Sequence, residues 1–324
     1  MTVGVVGVGR IGALLVDRLV RAGHEVVATD VRPERRHVVQ EAGARWAEDA
    51  AEVAAAGDLV LTALPGSPEL RELVLGAGRM ITHMRGTAIW TDLTSASVEL
   101  GHECARHARE QGVGYLDAPI GGGVGAMSEG TVTLYVGGRQ ETLETAAPVL
   151  RSFAATIHHV GENGAGYLTK LLINLLWFSQ AAVTTEALLL AQHHGISPAV
   201  MQTVLRDSAG DSAFAARHLP ALLRGDYLRD FGLERCVEEL DSIDRTADLA
   251  GLPHPLTSVT AALHRAALDH FGPVDGELMG PAWLEEQAGT RLADSSRARR
   301  ATPRRDQGPE SADVRPLPRP HGGG

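Results

Sequence analysis

The sequence predicts an α/β domain with a mostly parallel sheet, followed by an all-helical domain. In the first half of the chain, short runs of β-branched residues alternate with helical segments rich in Ala and Leu, and this alternation is typical of βαβ units. Beyond Gly161 no strand pattern appears, and apolar periodicity ends after about Leu292. We therefore divide the 324 residues into an α/β domain at 1–162, a helical domain at 163–292 and a disordered tail at 293–324.

The predicted strands of the first domain are short and are bounded by turn residues. The first, TVGVVGV, leads directly into the helix RIGALLVDRLVRAG, which ends at Gly23. Six further segments have strand character: EVVATD, DLVLTAL, GTAIWTDL, GVGYLDAP, TVTLYVGG and ATIHHVG. A helical or loop segment separates each from the next, as expected for parallel strands with crossover connections.

The second half of the chain has helical patterns. A segment without proline extends from Ala165 to about His194 and would form a helix roughly 40 Å long. Four more helices are predicted at about 198–208, 213–223, 231–250 and 256–271. The tail, ADSSRARRATPRRDQGPESADVRPLPRPHGGG, is rich in Pro, Arg, Ser and Gly, a composition that indicates disorder.

Composition and charge argue against several classes of protein. The net charge of −10 disfavours a nucleic-acid partner, because phosphate binding needs clustered positive charge. No apolar run reaches the length of a membrane span, so no membrane association is expected. Cys104 and Cys236 fit no metal or redox spacing and are interpreted as free thiols of a cytoplasmic protein. His102 and His107 are five residues apart rather than the four that a zinc-protease helix needs, and no metal is predicted.

A glycine motif, GVGRIG, follows the first strand and opens the first helix. In that context one glycine makes the tight turn, one lets a pyrophosphate approach the backbone, and one lets helix and strand pack closely. The helix N-terminus presents free N–H groups and a favourable dipole to the phosphates. We therefore predict a dinucleotide cofactor bound by six residues: Gly7, Val8, Gly9, Arg10, Ile11 and Gly12.

Asp30 ends the second strand, eighteen residues after Gly12. An acid at this position accepts hydrogen bonds from the ribose hydroxyls of NAD and repels the 2′-phosphate of NADP. Val31 offers no cation for that phosphate, although Arg32 can still swing in. NAD is therefore the favoured cofactor, and NADP stays open. In the alternative interpretation, Asp30 caps the helix that begins after DVRPE.

The chain has a single lysine, Lys170, in the apolar helical segment YLTKLLINLLWF. Asn174 lies four residues further on and shares its helix face. Apolar surroundings lower the pKa of a lysine and suit it to proton transfer, whereas arginine stays protonated. A lysine whose amine reaches solvent at the helix edge is the alternative. The second polar group on the same face favours a lined pocket.

A second glycine-rich segment, DAPIGGGVGAMSEG, follows another predicted strand. Four glycines of this segment leave bare backbone N–H groups that could hold a carboxylate. These glycines are Gly121, Gly122, Gly123 and Gly125. Taken alone, the segment is better interpreted as a flexible turn.

Three motifs in this order resemble those of the β-hydroxyacid dehydrogenases, the family that includes 3-hydroxyisobutyrate dehydrogenase and tartronate semialdehyde reductase. They are GVGRIG near the N-terminus, DAPIGGG at 117–123, and GxxGxGxxxKxxxN from Gly161 to Asn174. The resemblance covers about residues 1–290. It implies a Rossmann domain that binds NAD(P), a helical domain, and a homodimeric or homotetrameric oxidoreductase.

The resemblance also implies roles for individual residues. Lys170 matches the family's catalytic lysine, and Asn174 matches its partner on the substrate side. Gly122 and Gly123 match the backbone donors to the substrate carboxylate. Four residues match segments on the cofactor side: Leu64, Pro65, Thr94 and Ser95.

Two positions depart from the family pattern. Gly121 stands where the family usually has the serine of Ser-Gly-Gly, so one hydroxyl contact to the substrate is missing. Glu238, in the run CVEEL, stands where the family's Lys-Asp-Leu motif places a lysine that approaches the nicotinamide, so the local charge beside the cofactor is reversed. Both departures leave open a substrate that carries an amine or lacks a carboxylate.

The sequence thus predicts an NAD(P)-dependent oxidoreductase, with NAD favoured, that transfers a hydride between the nicotinamide and a β-hydroxyacid or its semialdehyde. The expected partner is a small-molecule substrate, a small carboxylate. Two alternatives stay open. One is a reductase of imines or specialised metabolites with the same fold, and the other is a non-catalytic NAD-binding sensor or scaffold.

Overall fold

The computed structural model describes residues 1–76 and 79–293, and the first domain is built on one mixed β-sheet. Seven strands coincide with the predicted segments, whereas two strands of two residues each are too short to show a periodic pattern. Within the described ranges the nine strands are β1 (Thr2–Val6), β2 (Glu25–Thr29), β3 (Arg45–Trp46), β4 (Leu59–Thr62), β5 (Ile89–Asp92), β6 (Gly114–Asp117), β7 (Ile120–Gly121), β8 (Val132–Gly137) and β9 (Ala154–Gly161). The predicted disordered tail, apart from Ala293, lies outside the described residues.

The sheet order confirms the prediction of a mostly parallel sheet. The strands lie in the order β3-β2-β1-β4-β5-β6-β8, and β7 and β9 also pair with β8. All pairs from β3 to β6 are parallel, while β8 runs antiparallel to β6 and β7 and parallel to β9. Because the order reverses between β1 and β4, the carboxyl ends of the strands border a crevice of the kind that binds ligands in open α/β sheets.

Helices cover both faces of the sheet. One apolar core packs α1 and its neighbours against residues such as Val5 and Leu61, and a second core on the opposite face contains Trp90 and Leu100. The helices of this domain are α1 (Arg10–Arg21), α2 (Arg36–Glu41), α3 (Ala50–Ala56), α4 (Ser67–Leu75), α5 (Val98–Glu110), α6 (Gly123–Glu129) and α7 (Gln140–Leu150).

The second domain is all-helical within the described residues, as predicted. Its helices are α8 (Ala165–His193), α9 (Pro198–Arg206), α10 (Ala213–Arg217), α11 (Leu219–Leu222), α12 (Leu233–Leu249), α13 (Pro255–Phe271) and α14 (Met279–Gln287). The single helix predicted over 213–223 is wrong: the chain breaks at His218, and Pro220 opens a second short helix. The sequence interpretation missed α14, because Pro281 resembles a stop signal although proline is tolerated in the first turn of a helix.

Helix α8 corrects the expectation that no apolar run is long enough to span a membrane. Among the described helices, α8 alone is long and apolar enough to cross a membrane. Core helices of globular proteins can have the same length and composition. It packs against β8 and against α12, α13 and α14 of its own domain. Large apolar side chains nevertheless remain exposed along it: Leu172, Ile173, Leu176, Val183 and Leu190.

The start of α8 is fixed by a buried carboxylate at the end of β6. Asp117 accepts hydrogen bonds from the backbone N–H groups of Gly164, at 2.9 Å, and Tyr167, at 3.2 Å. Gly164, the N-cap, has a left-handed φ of 94° that favours glycine. Burial raises the pKa of Asp117, and these backbone donors lower it. The helix that carries Lys170 is therefore attached directly to the sheet.

This close contact predicts that Gly166→Ala destabilises the protein. A methyl group at Gly166 would overlap the carbonyl oxygens of Asp117 and Tyr135, and overpacking of this kind costs about 1–3 kcal/mol. Gly125→Ala, in the first turn of α6 with open space around it, is the control, and we expect it to be neutral or stabilising by up to about 1 kcal/mol. Urea unfolding measures both variants. Equal stability of the two would contradict the packing described here.

Candidate active site

The glycine motif forms a tight turn at the carboxyl end of β1. Gly7 has a φ of 95°, and its N–H donates to the carbonyl oxygen of Thr29 at 2.9 Å. A methyl group at Gly12 would overlap the carbonyl oxygen of Gly7, so the helix lies closer to the turn than any other residue allows. Helix α1 has Gly9 as its N-cap and no side-chain cap. Its first-turn N–H groups can therefore bind a phosphate, as the cofactor prediction requires.

Asp30 ties this turn to the end of β2. Its Oδ2 accepts a hydrogen bond from the N–H of Val8 at 2.7 Å, and its Oδ1 accepts from the N–H and Nε of Arg32, each at 2.9 Å. Burial raises the pKa of Asp30, but the hydrogen bonds from Arg32 and Val8 together lower it by more than burial raises it. The pKa of Asp30 therefore lies below its usual value. The capping alternative is not supported, because the following 3-10 turn has Arg32 at its N-cap and no side-chain cap.

A second buried carboxylate, Asp92, connects the Thr94–Ser95 loop expected at the nicotinamide with the Leu64–Pro65 loop expected on the adenosine side. It accepts hydrogen bonds from the hydroxyls of Thr62, Thr94 and Tyr167, and the Thr94 hydroxyl in turn accepts from the N–H of Leu64 at 3.2 Å. Burial raises the pKa of Asp92 to about 6, although these donors lower it. The Leu64–Pro65 loop, the Thr94–Ser95 loop and α8 therefore share one anchor.

Lys170 and Asn174 lie together, as predicted. The Lys170 Nζ donates to Asn174 Oδ1 at 2.9 Å, and Asn174 Nδ2 donates to Oε2 of Glu239 at 2.6 Å. Because an ionised carboxylate can only accept hydrogen bonds, Glu239 holds the amide of Asn174 with its oxygen toward the lysine. Glu239 is buried, and its burial raises its pKa, while Lys170, Asn174 and Ser95 lower it.

Glu239 is the site residue that the sequence interpretation missed. The signal is present in CVEEL, where Glu239 follows Glu238 and so matches the aspartate of the family's Lys-Asp-Leu motif. Glu238 itself is exposed and lies beside Gly66, with its Oε2 accepting a hydrogen bond from Arg235 at 2.9 Å. Arg235 also pairs with Glu69 at 2.8 Å. Glu238 is thus paired within its own helix, although Arg235 shares its single positive charge between Glu238 and Glu69.

A third acid, Glu277, lies near enough to Lys170 for the charge of the lysine to act on it. Its N–H donates to the carbonyl oxygen of Leu228 at 3.1 Å, and Leu228 is the one non-glycine residue in the described ranges with a left-handed φ, 55°. Burial raises the pKa of Glu277 to about 7, and the charge of Lys170 lowers it. Strained backbone of this kind persists where the surrounding structure holds it in place.

Arg10 joins the glycine motif to the same part of the helical domain. Its guanidinium donates to the carbonyl oxygen of Arg229 at 3.0 Å and forms ion pairs with Asp230 at 3.3 Å and Asp275 at 3.7 Å. The predicted cofactor residue therefore also connects the two domains. In the described parts of the chain no group of three His, Cys, Asp or Glu side chains is arranged to hold a metal ion.

The glycines predicted to bind the substrate lie at the start of α6. Gly122 and Gly123 have φ values of 101° and 62°, and Gly122 is the N-cap, without a side-chain cap. Both residues are exposed, and their N–H groups precede the first helical hydrogen bonds, so they can donate to an anion. The flexible turn expected from this segment taken alone is instead a strand of two residues followed by a helix.

The raised pKa of Glu277 predicts a pH-dependent stability. The folded protein binds this proton more tightly than the unfolded chain, whose carboxyl titrates near 4.5, so the stability contributed here falls as pH rises from 4.5 to about 7. Glu277→Gln removes this dependence. The stability of the wild type relative to Glu277→Gln should fall by roughly 2 kcal/mol between about pH 5 and about pH 8.

Urea unfolding at the two pH values measures this difference. Asp269→Asn, an exposed acid of α13, is the control and should give parallel curves. A wild type that keeps a constant stability relative to Glu277→Gln would show that Glu277 is not desolvated.

Two family models match this chain in succession. One, described as the NAD binding domain of 6-phosphogluconate dehydrogenase, matches residues 2–161. The other, described as NAD-binding of NADP-dependent 3-hydroxyisobutyrate dehydrogenase, matches residues 164–278. Together they extend over the α/β domain and most of the helical domain.

Individual proteins give the same result. The chain is 33% identical over 204 residues to a 3-hydroxyisobutyrate dehydrogenase of Pseudomonas aeruginosa, covering 63% of this chain and 68% of that protein. It is 31% identical over 266 residues to an L-threonate dehydrogenase of Cupriavidus necator, with coverages of 81% and 88%. Among solved structures, 3-hydroxyisobutyrate dehydrogenase of Mycobacterium tuberculosis with L-serine has a TM-score of 0.80 at 26% identity, over 87% of this chain and 98% of that one. The chain therefore belongs to the β-hydroxyacid dehydrogenase family of nicotinamide-dependent oxidoreductases.

Proposed function

We propose that this protein is a cytoplasmic, NAD-preferring dehydrogenase of a short β-hydroxyacid, or a reductase of the corresponding semialdehyde. The observation that carries the proposal is the hydrogen-bonded chain from Lys170 through Asn174 to Glu239. It lies beside Ser95, whose hydroxyl acts on Glu239. A bound nicotinamide supplies or accepts the hydride. The residues of this chain bind the substrate and move the proton.

Lys170 is the proposed proton donor and acceptor for the substrate oxygen. Its amine is partly buried and is held at Asn174 Oδ1, where it can exchange a proton with a carbinol or carbonyl oxygen. Glu239 and Glu277 lie close enough for their charges to act on this amine. Asn174 and Glu239 keep the amine in one position, which proton transfer requires.

The substrate's carboxylate is proposed to bind at Gly122 and Gly123. Their N–H groups supply donors without a side chain in the way, and the start of α6 adds its dipole. This arrangement suits a small acid, with its carboxylate at the glycines and its oxygen near Lys170. The pairing of Glu238 with Arg235 offsets part of the negative charge that the departure at 238 adds beside the cofactor loop.

The choice between NAD and NADP is proposed to depend on Asp30 and Arg32. Three donor atoms of Arg32 and the N–H of Val8 occupy the carboxylate of Asp30. An ionised carboxylate has about four acceptor sites, so a ribose hydroxyl competes with Arg32 for them. Asp30 disfavours a 2′-phosphate, and Arg32 tolerates one.

A second copy of the chain is the proposed partner of the exposed apolar side chains on α8. Leu176, Val183 and Leu190 are each about three-fifths exposed, which is costly on a surface that faces only water. A homodimer or homotetramer would bury them. This proposal follows the resemblance to the family and the composition of the helix.

Replacement of Lys170 tests the reaction. Lys170→Ala should lower kcat for oxidation of 3-hydroxyisobutyrate or 3-hydroxypropanoate by about 10²–10⁴-fold, because the proton transfer is lost. Lys170→Arg should do the same, since a guanidinium does not give up its proton. NADH absorbance measures turnover, and intrinsic fluorescence measures NADH binding, which should persist.

Glu186→Gln, an exposed change on the same helix, is the matched control and should keep wild-type turnover. Near-normal turnover of either lysine variant would refute the proposed role. A panel that includes cyclic imines detects the reductase alternative, and tight NADH binding without turnover on any compound would favour the sensor alternative.

Replacement of Arg32 tests the choice of cofactor. Arg32→Ala should increase the preference for NAD over NADP, measured as the ratio of kcat/KM values, by about tenfold, because a charge-assisted contact to phosphate is lost and a competitor for Asp30 is removed. Asp30→Ala should move the ratio in the opposite direction. Arg35→Ala, in the adjacent 3-10 turn, is the control. A ratio that does not change in Arg32→Ala would contradict this account of cofactor selection.

A further inference from the structure

Gly121 leaves the carboxylate-binding segment without the hydroxyl that the family usually has there. The glycine is not simply a smaller residue in an open space. A Cβ atom built on Gly121 would lie 2.9 Å from the Tyr135 hydroxyl oxygen and 3.0 Å from its Cε2. The hydroxyl of Tyr135 therefore lies in the space into which a side chain at 121 would project.

The strand pairing explains this proximity. Strand β7 pairs antiparallel with β8, with Ile120 opposite Leu134 and Gly121 opposite Thr133. Side chains two residues apart on a strand share a face, so Tyr135 is the diagonal neighbour of Gly121 on the face that Thr133 also occupies. Diagonal neighbours are within reach of an aromatic side chain. A glycine at 121 is what allows a tyrosine at 135 to extend across it.

The hydroxyl of Tyr135 is a free donor. It makes no hydrogen bond to any residue within the described ranges, although Tyr135 is partly buried. The ring is stacked on His158 of β9, with ring centroids 6.1 Å apart and an interplanar angle of 9°. Desolvation raises the pKa of Tyr135, so the hydroxyl keeps its proton at neutral and mildly alkaline pH.

The free hydroxyl lies beside Gly121, the residue that directly precedes the backbone donors at the start of α6. Gly122 and Gly123 follow Gly121 directly, and a left-handed φ at both turns the chain sharply. Two N–H groups and one phenolic hydroxyl form a set of neutral donors, and hydrogen bonds to a carboxylate are stronger than those between neutral groups.

We propose that Tyr135 is a substrate-binding residue whose hydroxyl takes the place of the missing hydroxyl at 121 and donates to the substrate's carboxylate. Positions 121 and 135 are then a coupled pair: glycine with tyrosine, or serine with a smaller residue. This inference rests on the proposed function, because it assumes that the glycine segment binds a carboxylate.

The test is a mutant cycle with two measurements on each variant. The first is KM and kcat for 3-hydroxypropanoate with NAD, and the second is calorimetric titration of 3-hydroxypropanoate into the NADH complex, which binds without turnover. Tyr135→Phe should raise KM and Kd by about tenfold or more, because a hydrogen bond to a charged group is lost. It should leave kcat and NADH affinity within about twofold, since Tyr135 does not touch the reacting atoms in this account.

The coupling is tested by Gly121→Ser. Alone, it should bind 3-hydroxypropanoate more weakly than the wild type, because the new side chain meets the ring of Tyr135. Combined with Tyr135→Ala, it should recover most of the lost affinity, while Tyr135→Ala alone should not. Thr156→Val, which removes an exposed hydroxyl from β9, is the control for the loss of a strand hydroxyl.

The two readouts separate the failure of this inference from the failure of the proposed function. If the wild type turns over and Tyr135→Phe has the same KM and Kd as the wild type, the role of Tyr135 is overturned and the proposed function stands. If the wild type shows no turnover but still binds 3-hydroxypropanoate in a way that depends on Tyr135, the inference is retained and the proposed reaction is rejected. Absent binding of 3-hydroxypropanoate to the wild-type NADH complex would overturn the inference.

Discussion

The site depends on two buried carboxylates, Asp92 and Asp117, which end neighbouring strands of the sheet. Asp117 accepts the backbone N–H groups of the first turn of α8, and Asp92 accepts the Tyr167 hydroxyl from the same turn together with the loop that carries Thr94. A buried charge is costly unless donors surround it, so neither element can shift without leaving a charge unpaired. Lys170, one turn beyond Tyr167, is therefore positioned by the sheet.

Each of the two positions that depart from the family pattern has a partner nearby in the fold. Arg235 pairs with both Glu238 and Glu69, so the acid in place of the family's lysine is held in an ion pair. The Tyr135 hydroxyl lies where a side chain at Gly121 would project. In both cases another side chain of the fold lies against the position that departs from the family pattern.

Sequence reasoning succeeded where the information is local. Strand alternation, the glycine spacing and the interval between Lys170 and Asn174 are each patterns within a few residues. The structure brings Lys170 and Asn174 together. Sequence reasoning failed where partners are distant in the chain. Adjacent residues on a helix point about 100° apart, so the pair Glu238 and Glu239 does not reveal which faces the site. Tyr135 reaches Gly121 only through strand pairing, and Glu277 is held by a strained loop far from Lys170 in sequence.

In the proposed reaction the Lys170 amine transfers the proton, and the residues around it only hold it in position. Chemical rescue tests this most directly: Lys170→Ala is assayed for oxidation of 3-hydroxypropanoate with NAD in the presence of increasing methylamine at constant ionic strength. If the amine of Lys170 transfers the proton, turnover rises with the concentration of free methylamine, and a matched concentration of tetramethylammonium has no effect. Turnover that does not respond to methylamine, in a variant that still binds NADH and 3-hydroxypropanoate, would contradict proton transfer by Lys170.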